Sequence, residues 1–252
     1  MKIIFLGTGT SVGTPVIACN CEVCKSNDKR DFRFRTSLYI EHENAKIVID
    51  CGPDFRLQML NNNINDIDAV FFTHKHRDHT AGIDDIRPFN FMLNKAVDVI
   101  ANSETIKEIR IGNKYIFDKI YKDAPCLNII EIENKEFEYK GINIKPISVL
   151  HANDTVFGYR IDGLTYITDA NYISETELQK AKNSDVLILN SLARYKHRSH
   201  FSLDESLQII EQVKPKIAYL THISHGMGLH AQTQSELPEN VFLAYDGLII
   251  EI

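Results

Sequence analysis

The chain has 252 residues, of which 44% are hydrophobic and 25% are charged, a composition typical of a soluble globular protein. The formal net charge of −6 argues against broad, unspecific binding to nucleic acid, because proteins that follow phosphate backbones usually carry a basic excess. No apolar stretch of about 18 residues and no signal-peptide pattern is found, so we expect a cytoplasmic protein that does not bind membranes.

The first half of the chain predicts short strands interrupted by helices. Its predicted strands are Lys2–Leu6, Arg35–Ile40, Ala45–Asp50 and Ala69–Thr73. Its predicted helices are Pro53–Asn61, Ile83–Leu93 and Ser103–Phe117. Three further strands are predicted near the middle, over Asn143–Leu150, Val156–Ile161 and Thr165–Thr168.

The second half alternates strands with helices. Strands are predicted over Asp185–Asn190, Lys216–Thr221 and Val241–Ala244, and helices over Ser174–Lys182 and Ser202–Val213. A glutamate three residues after Ser174, and another after Ser202, predicts a capping box at each helix start. Asp246-Gly247 is a turn signal between the last two strands. Together these strands and helices predict one α/β domain over residues 1–252, with two mixed sheets and helices outside.

A cluster of potential metal ligands follows the apolar run of residues 69–72. It comprises His74, His76, Asp78 and His79, spaced as His-x-His-x-Asp-His. Imidazole and carboxylate are the nitrogen and oxygen ligands that Zn²⁺ and neighbouring divalent ions prefer. This spacing on a tight turn predicts a site that could serve two metal ions.

Three more candidate ligands follow predicted strands, where rigid sheet would hold them while their side chains converge. They are His151, Asp169 and His222. Two metals about 3.5–4 Å apart would lower the pKa of a bridging water and stabilise a phosphoryl or acyl transition state. Asp50 also follows a strand and is predicted to orient an imidazole. The predicted ligand sets are His74, His76 and His151 for one metal, Asp78, His79 and His222 for the other, and Asp169 bridging both.

Three of the five cysteines form a second cluster, Cys19-x-Cys21-x-x-Cys24, in a loop at about residues 17–30. In a reducing compartment such a cluster is more often a metal site than a disulfide framework. Three thiolates leave a tetrahedral zinc one ligand short, so a fourth ligand must come from elsewhere in the chain.

Together these residues resemble the metallo-β-lactamase superfamily. The His-x-His-x-Asp-His motif, the later histidine, the bridging aspartate and the final histidine all have counterparts in this chain. The resemblance covers essentially the whole chain. It implies an αβ/βα sandwich with two divalent metals, zinc or manganese, at one edge of the two sheets.

Within the superfamily the chain is most similar to the PhnP-type phosphodiesterases, which open the cyclic phosphate of phosphoribosyl 1,2-cyclic phosphate. The match is carried by residues 7–15 with the cysteine cluster, by residues 50–56, and by a tail that includes residues 200, 221–225 and 245–247. The resemblance implies a structural zinc held by Cys19, Cys21, Cys24 and His225. It also implies that His200 is the general acid, and it allows a homodimer.

The preferred prediction is a dinuclear metal-dependent phosphodiesterase for a small, cyclic phosphodiester, with His200 and Asp78 as catalytic residues. A hydroxide between the metals would attack phosphorus, and His200 would protonate the leaving oxygen. One alternative is a tRNA 3′-processing endoribonuclease of the same superfamily; the acidic charge and the lack of a long glycine-rich basic arm disfavour it. The other is a non-catalytic metal-binding protein. His197 has no assigned role.

Overall fold

The computed structural model describes residues 1–118, 121 and 123–252. Its first sheet contains β1 (Lys2–Gly7), β2 (Ser37–His42), β3 (Ala45–Ile49), β4 (Ala69–Phe71), β5 (Val97–Ala101), β6 (Leu127–Glu131) and β14 (Ile249–Glu251). The spatial order is β14-β1-β2-β3-β4-β5-β6. Pairing is antiparallel from β14 to β3 and parallel from β3 to β6, so the sheet is mixed.

The second sheet is also mixed. It contains β7 (Phe137–Tyr139), β8 (Ile142–His151), β9 (Asp154–Ile161), β10 (Leu164–Ile167), β11 (Val186–Asn190), β12 (Ile217–Thr221) and β13 (Val241–Leu243). The spatial order is β13-β12-β11-β10-β9-β8-β7. Strands β10 to β13 run parallel, whereas β7 to β10 pair antiparallel.

Helices cover the outer face of each sheet. They are α1 (Phe55–Asn61), α2 (Arg77–Thr80), α3 (Arg87–Leu93), α4 (Ser103–Gly112), α5 (Lys114–Phe117), α6 (Glu175–Ala181), α7 (Leu203–Val213) and α8 (His230–Glu236). Side chains alternate along β1, so that Ile3 and Phe5 pack between the sheets while Ile4 and Leu6 pack toward the helices. A third apolar cluster joins the second sheet to α6 and α7. The predicted fold class, two mixed sheets with helices outside, is therefore confirmed.

Two predicted helices are interrupted. The one predicted over Ile83–Leu93 begins as a short 3₁₀ helix, Ile83–Ile86, before α3. The one predicted over Ser103–Phe117 breaks at Asn113, whose φ of −131° and ψ of 43° are not helical. Residues 119, 120 and 122, just beyond it, lie outside the described part of the chain. Among the described helices, none is both long enough and apolar enough to cross a membrane.

Only one of the two predicted capping boxes is complete. At α7 the Ser202 hydroxyl accepts from the Glu205 amide, and the Glu205 carboxylate accepts from the Ser202 amide at 2.9 Å. At α6 the Ser174 hydroxyl accepts from the Glu177 amide, but the Glu177 carboxylate accepts from the backbone amide of Ser148 at 2.7 Å. The second half of that box was predicted wrongly because β8 supplies a competing N–H.

The predicted turn at Asp246-Gly247 connects strands of different sheets. Strand β13 belongs to the second sheet and β14 to the first, so the turn carries the chain across the sandwich. The Asp246 carboxylate fastens this crossing, since it accepts hydrogen bonds from the Thr8 hydroxyl at 2.7 Å and the Phe34 amide at 2.6 Å. The C-terminal segment is thereby tied to the N-terminal glycine-rich loop.

Candidate metal centre

The candidate ligands meet where strands of both sheets end. Asp50 follows β3, His151 is the last residue of β8, Asp169 lies just beyond β10, and His222 follows β12. Asp50, Asp169 and His222 have φ values of 62°, 53° and 54°, in the left-handed region that non-glycine residues rarely adopt. Such backbone conformations concentrate at functional sites, where surrounding structure compensates for their cost. The sheets thus turn these side chains inward at a shared edge.

Glycine allows the ligand motif to approach β3 closely. A Cβ atom on Gly52 would collide with the carbonyl oxygen of Asp78, which lies in α2. In the same place the Cys51 amide donates to the carbonyl of His79 at 2.8 Å. Any larger residue at position 52 would therefore push α2, and with it two candidate ligands, away from the end of β3.

The first predicted ligand group comes together. The candidate ligand atoms of His74, His76 and His151 lie within 4.8 Å of one another, and His74 Nε2 is 3.0 Å from His76 Nδ1. His151 Nδ1 donates to the carbonyl of Ser199 at 2.8 Å. That bond leaves Nε2 of His151 as the atom free to bind a metal.

The second predicted group, Asp78, His79 and His222, is equally compact, with its ligand atoms within 4.8 Å. Asp169 lies between the two groups. One of its oxygens, Oδ2, is 3.3 Å from His79 Nε2, and the other, Oδ1, is 3.1 Å from His222 Nε2. Asp169 also forms a compact set with His74 and His79. This is the position that a bridging carboxylate needs.

The electrostatics of the cluster favour a cation. Burial alone would lower the pKa of His79, but the carboxylates of Asp169 and Asp50 raise it well above its ordinary value. Burial would raise the pKa of Asp169, yet His222 and His79 hold it well below its ordinary value. Positive charge placed among these carboxylates is therefore stabilised.

Several buried ring nitrogens in the described residues have no hydrogen-bond partner. They are both nitrogens of His222 and Nδ1 of His200. The Nε2 atom of His222 lies 3.1 Å from Asp169 Oδ1, but the angles there are not those of a hydrogen bond. A buried polar atom without a partner costs about 1–3 kcal/mol, so its persistence needs an explanation. A divalent cation would satisfy Nε2 of His222, and the nitrogen and oxygen donors around it are the types that zinc and manganese accept.

His200 packs against the candidate ligands. Its ring stacks on His222 at 4.6 Å with an angle of 23° between planes, and its Nδ1 is 3.8 Å from Asp169 Oδ1. The ring of His197 lies 5.3 Å from that of His200, with an angle of 28° between planes. Burial first, and then His222, lower the pKa of His200 to about 3.

The three clustered cysteines surround His225. Their Sγ atoms lie 3.3, 3.4 and 3.5 Å from His225 Nδ1, for Cys19, Cys21 and Cys24 in that order. The Cys24 backbone amide lowers the pKa of Cys21 to about 6, whereas burial raises the pKa of Cys24 to about 11. His225 begins a short 3₁₀ helix, three residues after His222. One segment after β12 thus serves both clusters.

Sequence reasoning missed the hydroxyls that orient the ligands. Thr73 donates through Oγ1 to Asp50 at 2.8 Å and lies 2.9 Å from His74 Nδ1. Thr168 donates to Asp169 Oδ2 at 2.7 Å. Each threonine directly precedes a candidate ligand, so position in the sequence was the available signal. The predicted role of Asp50 has a matching contact, since its Oδ2 accepts from His79 Nδ1 at 2.7 Å.

Replacing Asp50 with asparagine should lower metal affinity about 10–100-fold, because an uncharged acceptor holds the His79 imidazole less firmly. Asparagine tolerates the left-handed φ at this position, so the fold should persist. Titration of the metal-free protein against a chelator of known affinity measures the change. Asp162→Asn, a left-handed aspartate bonded to His42 away from this cluster, is the matched control. Equal metal affinity in both variants would contradict an orienting role.

Comparison with known proteins identifies the superfamily to which this chain belongs. A family model described as "Beta-lactamase superfamily domain" matches residues 45–223, which is more than half of the chain. The chain therefore belongs to the β-lactamase superfamily. Zn²⁺-bound PqqB from Methylobacterium extorquens shares the fold, with a TM-score of 0.80, 18% identity, and full coverage of both chains.

A second solved structure, that of a new diphosphatase from the PhnP family, is more similar to this chain than PqqB is and identifies the particular family. It is 35% identical with a TM-score of 0.93, and the match covers 100% of this chain and 97% of the other. The chain accordingly belongs, within the superfamily, to the PhnP family.

The curated relatives carry names of different enzymes. An octanoyltransferase of Porphyromonas gingivalis is 35% identical over 252 residues. The match covers 98% of this chain but only 51% of the relative, so this chain spans about half the length of that protein. A ribonuclease Z of Clostridium kluyveri is 25% identical over 268 residues, covering 82% of this chain and 88% of the relative.

Proposed function

We propose that this protein is a divalent-metal-dependent phosphodiesterase for a small phosphodiester. The observation that carries the proposal is the position of Asp169, within 3.3 Å of His79 and 3.1 Å of His222 and beside His200. Two ligand groups that share a carboxylate, with a further histidine at the same edge, form the constellation that phosphoryl transfer between two metals requires. Similarity to a PhnP-family diphosphatase supports hydrolysis at a phosphoryl group, the broader class to which this reaction belongs.

The proposed metal ligands are His74, His76 and His151 for one ion, Asp78, His79 and His222 for the other, with Asp169 shared. Two bound divalent ions would lower the pKa of water and neutralise the phosphoryl oxygens. The chain's own residues would fix the geometry: Ser199 orients His151, Asp50 orients His79, and the sheet ends hold both in place. Rigid support of this kind keeps reacting groups aligned without reorganisation.

His200 would serve as the general acid. Burial lowers the pKa of His200 to about 3, which favours the neutral imidazole when no substrate is bound. An anionic phosphodiester beside the ring would raise that pKa and supply the charge that stabilises the protonated form. The proton on His200 would then pass to the departing oxygen as the ester bond breaks. His197 lies within stacking distance and would shield the ring from solvent.

A structural zinc is proposed at Cys19, Cys21, Cys24 and His225, whose ligand atoms lie within 4.8 Å of one another. This set supplies the four tetrahedral positions that a structural zinc site requires. A homodimer, expected from the family, stays a prediction.

Metal analysis combined with a substrate panel tests the function. The purified protein should contain up to three divalent metals per chain and should hydrolyse bis(4-nitrophenyl) phosphate or phosphoribosyl 1,2-cyclic phosphate, with activity lost on chelation and restored by zinc or manganese. A metal-loaded protein that hydrolyses none of these substrates, yet binds a partner, would instead indicate the non-catalytic alternative.

The second candidate function is endonucleolytic processing of tRNA 3′ ends. The similarity to ribonuclease Z of Clostridium kluyveri favours it, whereas the net charge of −6 disfavours a large RNA substrate. A precursor-tRNA cleavage assay under the same metal conditions separates the two candidates. Efficient cleavage at the 3′ end would overturn the small-substrate proposal.

A further inference from the structure

The end of β11 lies between the strands that carry two candidate metal ligands. In the second sheet β11 pairs in parallel with β10 on one side and with β12 on the other. Asp169 lies just beyond β10, and His222 directly follows β12. Asn190, the last residue of β11, is completely buried at this edge. Its side-chain amide needs hydrogen-bond partners inside the protein, because an unpaired buried polar group costs about 1–3 kcal/mol.

The Asn190 amide binds the backbone directly after the shared ligand. Its Oδ1 accepts from the Ala170 N–H at 2.9 Å, and its Nδ2 donates to the Ala170 carbonyl at 2.9 Å. The first of these bonds fixes the peptide between Asp169 and Ala170, and with it the left-handed backbone of Asp169, whose φ is 53°. A backbone conformation of this kind persists only when the surrounding structure holds it. Asn190 supplies part of that support.

The same carbonyl also holds the segment that contains the proposed general acid. The Phe201 amide donates to the Ala170 carbonyl at 2.7 Å, and Phe201 directly follows His200. The Ala170 carbonyl therefore accepts from the Asn190 side chain and from the peptide after His200. One buried side chain thus contacts the point at which the backbone after Asp169 and the backbone after His200 are joined.

We propose that Asn190 is a positioning residue that sets the orientation of the Asp169 carboxylate toward the metals and its distance from His200. The proposal deepens the proposed phosphodiesterase function and rests on it for the roles of these two side chains. Asn190 acts through the Ala170 backbone, not on the reacting atoms. A displacement of about 1 Å can lower a catalysed rate about 100-fold, so the loss of this support should be measurable.

Asn190→Ala removes both hydrogen bonds, and Asn90→Ala is its matched control. Asn90 is also buried, and its amide binds the N–H and the carbonyl of Cys126 at 2.9 and 3.0 Å, next to β6 at the far edge of the first sheet. Thermal unfolding of the metal-free protein should show that both variants lose stability. Only Asn190→Ala should bind zinc less tightly, by about 10–100-fold in a chelator competition.

Turnover of bis(4-nitrophenyl) phosphate at saturating metal gives a second measurement. Asn190→Ala should lower kcat about 10–100-fold with a much smaller change in KM, because misplaced groups fail mainly in the transition state. Asn90→Ala should keep both constants. Wild-type zinc affinity and kcat in Asn190→Ala, or equal losses in the two variants, would overturn the assignment.

Asn190→Asp keeps the shape of the side chain and serves if the alanine variant does not fold. Its carboxyl can accept from the Ala170 N–H in either protonation state, but it can donate to the Ala170 carbonyl only when protonated. Its kcat relative to wild type should therefore fall as the pH rises, whereas the ratio for Asn90→Asp should stay constant. A constant ratio in Asn190→Asp would contradict the positioning role.

The proposed function and the positioning role can fail separately. A loss of zinc affinity confined to the Asn190 variants, in a protein that hydrolyses no phosphodiester, would uphold the positioning of Asp169 and refute the proposed function. Hydrolysis that is equally fast in wild type and Asn190→Ala would uphold the function and refute the positioning role.

Discussion

Replacing Asp169 with asparagine should lower kcat/KM for a phosphodiester roughly 10³-fold or more, because losing a shared ligand charge removes several kcal/mol of metal-dependent transition-state stabilisation. The side chain is buried between His79 and His222, so no solvent can substitute for the carboxylate. Asparagine has nearly the same shape and tolerates the φ of 53°, so the fold should be retained. Steady-state kinetics with metal analysis and circular dichroism measures these effects together.

Asp162→Asn is the matched control for this variant. Asp162 also has a left-handed φ, of 48°, and pairs with His42 at the surface, away from the metal centre. It should retain activity and metal content. Wild-type turnover by Asp169→Asn would exclude Asp169 as a shared ligand, whereas equal losses in both variants would indicate a backbone effect.

Replacing Cys21 with serine should remove one zinc per chain and lower the melting temperature by on the order of 10 °C. A structural zinc contributes its binding energy directly to folding, and each kcal/mol shifts the melting temperature of a chain of this size by about 2–4 °C. The site joins the N-terminal loop to the segment that carries His222, since Cys21 Sγ lies 3.4 Å from His225 Nδ1. Thermal unfolding and zinc analysis of the same samples check both effects.

Cys126→Ser is the corresponding control, because this free cysteine is exposed and lies outside the cluster. It should keep both its zinc content and its melting temperature. An unchanged melting temperature and full zinc content in Cys21→Ser would refute the structural zinc site. A stability loss with full zinc content would assign the effect to packing of the loop.

Short elements without a strong apolar period were the part of the fold that sequence could not predict. Strands β5, β6 and β7 and helices α2 and α8 were missed, and β14 was predicted only as a strand without bounds after the turn at Asp246-Gly247. Helix α8, for example, reads His-Ala-Gln-Thr-Gln-Ser-Glu and has no apolar stripe. Strand β14 exists because β1 offers it an antiparallel partner at the sheet edge. Such elements depend on their neighbours more than on their own residues.

The sequence by itself determined the donor types and their local spacing: His74 to His79 as one cluster, and Cys19 to Cys24 as another. It also indicated that His151, Asp169 and His222 follow strands, because short β-branched runs with abrupt polar ends are local features. These features sufficed for the fold class and for the candidate ligands, since both depend on residues close together in the chain.

The ligand sets were predicted by counting candidate ligands and, for His225, from the family resemblance, whereas the contacts that bring these residues together are decided by the tertiary structure. Cys19 lies 206 residues before His225, and Asp169 reaches His79 only because strands of two sheets end at one edge. The hydrogen bond from His151 to the Ser199 carbonyl, which fixes the tautomer of His151, likewise follows from packing. Contacts between distant residues arise from how the sheets twist and pack, and that information is distributed over the whole core.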